Sequence, residues 1–245
     1  MAEQFIDYSD LSVDYPGISP EILNEKNRLP KMFAFLKSAN ADLLLLQEVN
    51  FKVLKLIKAN LAQNYNIYPL AIHKTEEAVQ PGNSYGNLIL VKKGISTVGK
   101  QVVHRVPELG TTFAFLEINI AGNKVLVVNV HLDSEPKETH RRKEIKVLLK
   151  LLNPYLEDTI IITGDFNTSN EETHKKFSKF KSAVIEHKGT YLNDDPMIDW
   201  IYIRNAILLS GKILKPKKAN SATPLKKYGS DHYPVIANIA LHNLS

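Results

Sequence analysis

Apolar runs without a polar interruption constrain this chain most: LLLL at residues 43–46, VLVV at 125–128 and III at 160–162. A strand with one wet face alternates apolar and polar side chains, so runs of this kind belong to strands covered on both faces. Something must lie on each side of such a sheet. The 44% hydrophobic content supplies the material, and the stretch between the second and third runs shows one form it takes. Glu138 to Leu152 carries Ile145, Leu148, Leu149 and Leu152 on one helical face, with Arg141, Arg142, Lys143, Lys146 and Lys150 on the other. That predicts an amphipathic helix lying between two strands.

Local signals fill in the rest. Ser19 as N-cap and Pro20 at the first helical position open a helix with Ile22, Leu23, Leu29, Met32, Phe33 and Leu36, which Pro30 is expected to split or kink. Phe51 to Leu61 also has helical spacing. Strands are expected over 64–70, 86–91, 97–106, 111–120 and 124–132, with a hairpin turn at the Gly-Asn pair of "IAGNKV". A strand over 159–163 leads to a short helix near 173–181, then to strands over 197–204, 206–214 and 234–241. The pattern is an α/β chain with two packed sheets flanked by helices. Residues 1–19 are polar and aperiodic, a loop or arm. Neither a linker-like stretch nor a short-period repeat interrupts the chain, and residues 1–245 read as a single domain.

The 31 basic and 26 acidic residues give a formal charge of +5, which favours anionic partners only weakly. Its placement says more. One basic cluster lies over 137–150 and another over 212–227, the latter with Lys215, Lys217, Lys218, Lys226 and Lys227. Each is either a solvated face or a phosphate-binding surface. The absence of cysteine excludes disulfides, thiolate metal sites and cysteine nucleophiles. "MAEQFIDYSD" has no basic segment followed by an apolar one, and no window is apolar for the length of a membrane span. A cytoplasmic monomer that does not engage membranes is the expectation.

Apolar strands here repeatedly end in groups that burial should reject. LLLL runs into Gln47 and Glu48, VLVVNV into His131 and Asp133, and TIIIT into Asp165 and Asn167; Ser230, Asp231 and His232 precede the last strand, and Asp199 interrupts "MIDWIYI". Each has an ordinary explanation alone: Glu48 capping the following helix, Asp165 opening a turn, His131 satisfied in the core. Recurrence points instead to convergence on one site, because burying carboxylates without partners costs several kcal/mol. Glu48, Asp165 and Asp231 offer hard oxygen ligands, which suit Mg²⁺ or Mn²⁺ rather than a structural zinc. A histidine beside a carboxylate acts as a base or, protonated, as an anion stabiliser. Cation, base and basic rim together point to attack of water on a phosphate ester.

"LLLLQEV", "NVHL", "GDFN", "IDWIYI" and "SDHYPV" occur in this order over about residues 28–241, and in this the chain resembles the metal-dependent endonuclease/exonuclease/phosphatase superfamily, with its DNase I-like and exonuclease III-like members. The resemblance implies a four-layer α/β sandwich with two packed mixed β-sheets and a site at one edge of the sheets. It implies Glu48 as the principal metal ligand, with Asp231 in the metal and water network. Asp165 would orient or deprotonate the attacking water, and Asn167 would hold the phosphate or help place the metal. His232, oriented by Asp199, would bind the scissile phosphate, and His131 would contact the phosphate or help the leaving group. Asn87 in "YGNLIL" matches a structural or secondary substrate contact. Arg141 and Arg142 fit a place where many members carry an arginine, facing backbone phosphates or solvent. Members also open with a strand ending in an active-site asparagine, and no such motif precedes Glu48 here.

The implied activity is Mg²⁺-dependent hydrolysis of nucleic-acid phosphodiesters. The segment before Glu48 looks like that of deadenylase-type members, whereas "SDHYPV" looks like the DNase and bacterial sphingomyelinase branches, so the polymer stays open. Alternatives are a small or lipid phosphoester as substrate, and a non-catalytic binding protein retaining the fold. Stretches 75–85 and 215–229 are candidate substrate loops, in which Tyr85 and Tyr228 either stack on a base or pack on their neighbours.

Overall fold

The computed structural model describes residue 15 and residues 17–74, 84–135, 137–184, 188–192 and 197–242. The uninterrupted runs fall in strands of two packed sheets. β1 (Leu43–Asn50) pairs with β4 (Tyr85–Lys92), which also pairs with β2 (Tyr65–Ile67) and β3 (Ala71–Ile72). A larger sheet has the order β5 (Ser96–Thr97), β7 (Thr112–Ile120), β8 (Asn123–His131), β9 (Thr159–Asp165), β11 (Asp199–Arg204), β10 (Lys181–Ser182), with β6 (Val102–Arg105) also on β7. β12 (Ala206–Ile213) and β13 (Val235–Leu241) form an antiparallel pair.

Strand parity sorts the core into layers. Along β4, Leu88 and Leu90 pack with Met32, Phe33 and Leu36 of α2 (Glu25–Ala39) and with Val53 and Ile57 of α3 (Phe51–Leu61). The alternate residues Ile89 and Val91 face the other way, onto Val125 and Val127 of β8 and Ile161 of β9. On the far side of the larger sheet, Leu126, Val128, Ile160 and Ile162 meet Ile145, Leu148 and Leu152 of α4 (Glu138–Leu152). Helices, sheet, sheet and helix therefore stack as four layers, each apolar side chain contributing roughly 1.5–3 kcal/mol on full burial.

Several local expectations move. The helical segment breaks at Asn24, between α1 (Pro20–Leu23) and α2, because the Asn24 side chain accepts from Lys26 N–H and caps the second helix. Pro30 stays inside α2; it lies early in the helix and forfeits one backbone bond, which the buried face offsets. The strand expected over 97–106 is two short strands, with Gly99 at φ +84° between them. The expected helix over 173–181 is α5 (Glu171–His174) plus one 3₁₀ turn over Lys175–Phe177, giving way to β10. The hairpin loop is Ala121–Gly122, both at positive φ, as a type I′ turn requires. The stretch 215–229 contains α6 (Thr223–Tyr228). Among the described residues no strand precedes β1, and β1 pairs with β4 alone and β13 with β12 alone; the expected arm over 1–19 falls mostly outside them. No helix of the described residues is long and apolar enough to cross a membrane.

Candidate active site

Three of the expected residues share one row of the larger sheet. β8 runs parallel to β9 in the register that sets His131 beside Asp165, and β9 runs antiparallel to β11 with Asp165 beside Asp199. Neighbouring residues in a sheet point to the same face. Their parity is that of Val127, Ile161 and Ile201, so the row lies on the face between the two sheets, at the strand ends. His131 Nε2 is 3.9 Å from Asp165 Oδ2. The row depends on Gly164, whose φ is +146° and where a Cβ would come within 1.8 Å of the Val130 carbonyl oxygen. Only glycine lets β8 and β9 approach there.

Glu48 reaches the row from the other sheet. The β1–β4 register shifts between Leu46 and Val49, and Glu48 takes the left-handed conformation, φ +54°. A bulge of this kind re-aims a side chain, and Glu48 Oε1 comes to 3.9 Å from His131 Nε2. Gln47 Nε2 donates to Asn129 Oδ1 at 2.7 Å, while the Asn129 amide donates to the Leu46 and Leu88 carbonyls at 3.0 Å each. This seam ties the two sheets together behind the site.

His232 closes the opposite side. Its Nδ1 lies 2.8 Å from Asp199 Oδ2, and its Nε2 lies 3.8 Å from Asp165 Oδ2. Burial alone would lower its pKa, but Asp199, through charge and hydrogen bond, and then Asp165 push it up to about 10. His232 is therefore an imidazolium at neutral pH. Asp165 moves well above the usual carboxylate range, through burial first and the Asp199 charge second. His131 is pushed down by burial and stays neutral. The site thus holds a poised carboxylate between a neutral and a charged imidazole.

Asp165, Asp199 and His232 bring ligand atoms within 4.8 Å of one another. An imidazolium whose Nδ1 is engaged by Asp199 makes a poor cation ligand, so that trio is better described as an ion-pair network. Glu48 and Asp231 fit a cation better. The Asp231 charge is felt at Glu48, and Asp231 Oδ1 is buried with no hydrogen-bond partner among the described residues. Hard oxygens around an unsatisfied carboxylate are the donor set of a divalent cation such as Mg²⁺.

The other expected residues are set back from this centre. Asn167, at φ +48°, gives its backbone N–H to Asp165 Oδ1 at 2.7 Å and its amide hydrogen to the Leu132 carbonyl at 2.8 Å; it shapes the turn that orients Asp165. Asn87 is wholly buried and donates to the Thr112 carbonyl at 2.9 Å. Arg141 is buried rather than on the basic face, because it donates to Glu138 Oε2 and to the Asp133 and Glu135 carbonyls. That occupation leaves it clamping the loop after β8, away from a substrate role. Arg142 is the half-exposed member of the pair, 3.9 Å from Glu138. Tyr228 is buried, edge-on to Phe35, with its hydroxyl donating to the Leu214 carbonyl at 2.6 Å; it cannot stack on a base. Tyr85 lies over the His73 and His131 rings. The rest of the 75–85 stretch falls outside the described residues, Ser84 excepted.

Sequence reasoning missed three neighbours. His73 is fully buried, its ring 5.5 Å from and nearly perpendicular to His131. Its Nδ1 accepts from Thr112 N–H at 3.0 Å, and burial pushes its pKa down to about 3. Tyr191 packs its ring 5.0 Å from His232. Tyr15 donates its hydroxyl to Asp231 Oδ2 at 2.8 Å. His73 directly follows the two-residue strand β3, which is too short for periodicity to reveal.

Comparisons with known proteins give the family and the fold. The model of the Endonuclease/Exonuclease/phosphatase family matches residues 24–232. No curated protein sequence matches the chain. Among solved structures, truncated TDP2 of Caenorhabditis elegans is 22% identical with a TM-score of 0.67, over 88% of this chain and 92% of that one. D. rerio TDP2 complexed with a single-strand DNA product is 15% identical with a TM-score of 0.70, over 96% and 95%. A mannosyl-6-phosphatase of Bacteroides thetaiotaomicron is 17% identical with a TM-score of 0.69, over 89% and 92%. At these identities the solved structures show the shared fold.

Proposed function

We propose, from the premise that the chain belongs to the Endonuclease/Exonuclease/phosphatase family, that it hydrolyses phosphodiester bonds of nucleic acid with a divalent cation, Mg²⁺ or Mn²⁺. The observation that carries this reading is the Asp199–His232 pair set against Asp165, a charged imidazole beside a carboxylate of raised proton affinity. Asp165 takes a proton from the attacking water as its oxygen bonds to phosphorus. The His232 imidazolium stabilises the negative charge that builds on the phosphoryl oxygens. Asp199 keeps it charged and oriented. As the P–O bond to the leaving group breaks, that oxygen takes the Nε2 proton of His232, and the proton that Asp165 took from water, 3.8 Å away, restores the imidazolium; neutral His131 contacts the phosphate. Glu48 and Asp231 are the residues that would hold the cation, which when bound offsets the charge of the phosphate.

The nucleic-acid substrate rests on family membership, the DNA-bound D. rerio neighbour and the basic helix face that includes Arg142. The phosphatase neighbour favours a second reading, a small phosphomonoester. A single-domain, cytoplasmic monomer completes the proposal. The test is cleavage of labelled single- and double-stranded DNA and RNA, and of a chromogenic phosphomonoester, with Mg²⁺, Mn²⁺ or EDTA. Asp165→Ala should slow the reaction by roughly 10²–10⁴-fold. Cleavage of the monoester alone would transfer the proposal to the phosphatase reading; cleavage unaffected by EDTA would remove the cation from it.

A further inference from the structure

Asp231 presents two unlike oxygens. Oδ2 accepts the Tyr15 hydroxyl at 2.8 Å, while Oδ1 is buried without a hydrogen-bond partner among the described residues. A buried carboxylate oxygen left this way costs free energy unless something not made of this chain reaches it. The asymmetry is built from a distance. Tyr15 is only 6% exposed and packs with Ile18, Leu23 and Leu225. Its carbonyl closes a turn by accepting from Ile18 N–H at 3.1 Å, with Gly17 at φ +80°. From Leu23 the Arg28 side chain continues the anchor, donating to the Leu23 carbonyl at 2.8 Å and to the Gly229 carbonyl at 3.3 Å. Gly229 stands two residues before Asp231, and a Cβ there would come within 2.3 Å of the Arg28 carbonyl oxygen. The tyrosine and the carboxylate are therefore fastened to the same small unit of α1, α2 and α6.

We propose that Tyr15 is a positioning residue for the cation site: its hydroxyl fixes Asp231 Oδ2, so that Oδ1 is the oxygen offered to a divalent ion beside Glu48. The inference rests on the reading of Asp231 and Glu48 as the pair that holds the cation. It also goes beyond the family, because Tyr15 lies before residue 24, where the family match begins. Rotation of the carboxylate plane out of this orientation would break the only hydrogen bond its side chain makes among the described residues. Removing the hydroxyl frees that rotation, and loss of an outer partner of this kind typically weakens metal binding about 10–100-fold.

The experiment is calorimetric titration of Mn²⁺ into the full chain after dialysis against EDTA, for wild type, Tyr15→Phe and Asp231→Asn, with metal-free melting curves alongside. Phenylalanine keeps the contacts with Ile18, Leu23 and Leu225. Support would be a Mn²⁺ affinity lowered about tenfold or more in both variants, with the Tyr15→Phe protein still folded. A purely structural tyrosine would lower the metal-free melting temperature and leave Mn²⁺ affinity unmoved, and that result overturns the inference. If Asp231→Asn weakens Mn²⁺ binding and Tyr15→Phe does not, the tyrosine's role alone falls. If wild type binds no Mn²⁺, or Asp231→Asn binds it as wild type does, the assignment of Asp231 as a ligand falls and takes the inference with it.

Discussion

Replacing Asp199 by asparagine removes one charge and leaves the side chain's shape, so it isolates the electrostatic support of His232. The rise of the His232 pKa from 6.5 to about 10, at about 1.4 kcal/mol for each tenfold change in proton affinity, is on the order of 4–5 kcal/mol. Asp199 is the largest source of that rise, ahead of Asp165 and Asp231, and the 2.8 Å bond is its direct expression. With an amide in its place, burial reasserts itself and the imidazole pKa should fall by more than a hundredfold in proton affinity. The direct assay is an NMR titration of the His232 ring in EDTA, wild type against Asp199→Asn. Linkage gives a second readout. A folded pKa above the unfolded one contributes stability that is fully present below about pH 6.5 and is given up as pH rises through about 10. Denaturant melts of the variant should lack that decline between the two values. Phosphoester cleavage near neutrality should fall by roughly 10²–10⁴-fold. A His232 pKa still above about 9 in the variant, with cleavage within threefold of wild type, would refute the view that Asp199 holds the imidazolium.

Two further outcomes follow from the fold itself. Gly164→Ala puts a methyl group 1.8 Å from the Val130 carbonyl oxygen at a φ of +146°, so loss of at least about 4 kcal/mol is expected; a soluble variant melting within a few degrees of wild type would contradict it. Glu144, wholly buried, has its pKa pushed up by burial from 4.5 to about 7 despite bonds from the Thr111 hydroxyl and Asp133 N–H. Its contribution is full below about pH 4.5 and lost as pH rises through about 7, so Glu144→Gln should gain up to about 3 kcal/mol on wild type between those values. Urea melts at the two pH values test this, and a stability difference independent of pH would count against it.

The layers were legible because apolar runs without alternation need cover on both faces, and β1, β4, β8 and β9 all proved to be covered. The candidate residues were legible for the complementary reason, that Glu48, His131, Asp165 and Asp231 stand where burial should reject them. Register was not legible. Nothing in the sequence says that His131, Asp165 and Asp199 fall opposite one another, since that depends on pairing between strands far apart in the chain. Arg141 and Glu144 could have been found. Each lies four residues before a core position on the same helical stripe, Arg141 before Ile145 and Glu144 before Leu148, yet the charge of Arg141 suggested the wet face. Tyr15 could not, because a tyrosine in an aperiodic polar segment carries no sign of what it touches.

The row shared by β8, β9 and β11 has a consequence for biosynthesis. β8 and β9 are parallel neighbours joined through α4, so His131 meets Asp165 only after that crossover has closed, and Asp199 joins them only when β11 has been added. Non-local pairings of this kind form late. A nascent or partly unfolded chain has these side chains without their arrangement. The row is thus a product of strand pairing rather than of any one segment, and a chain that stops short of β11 cannot hold it.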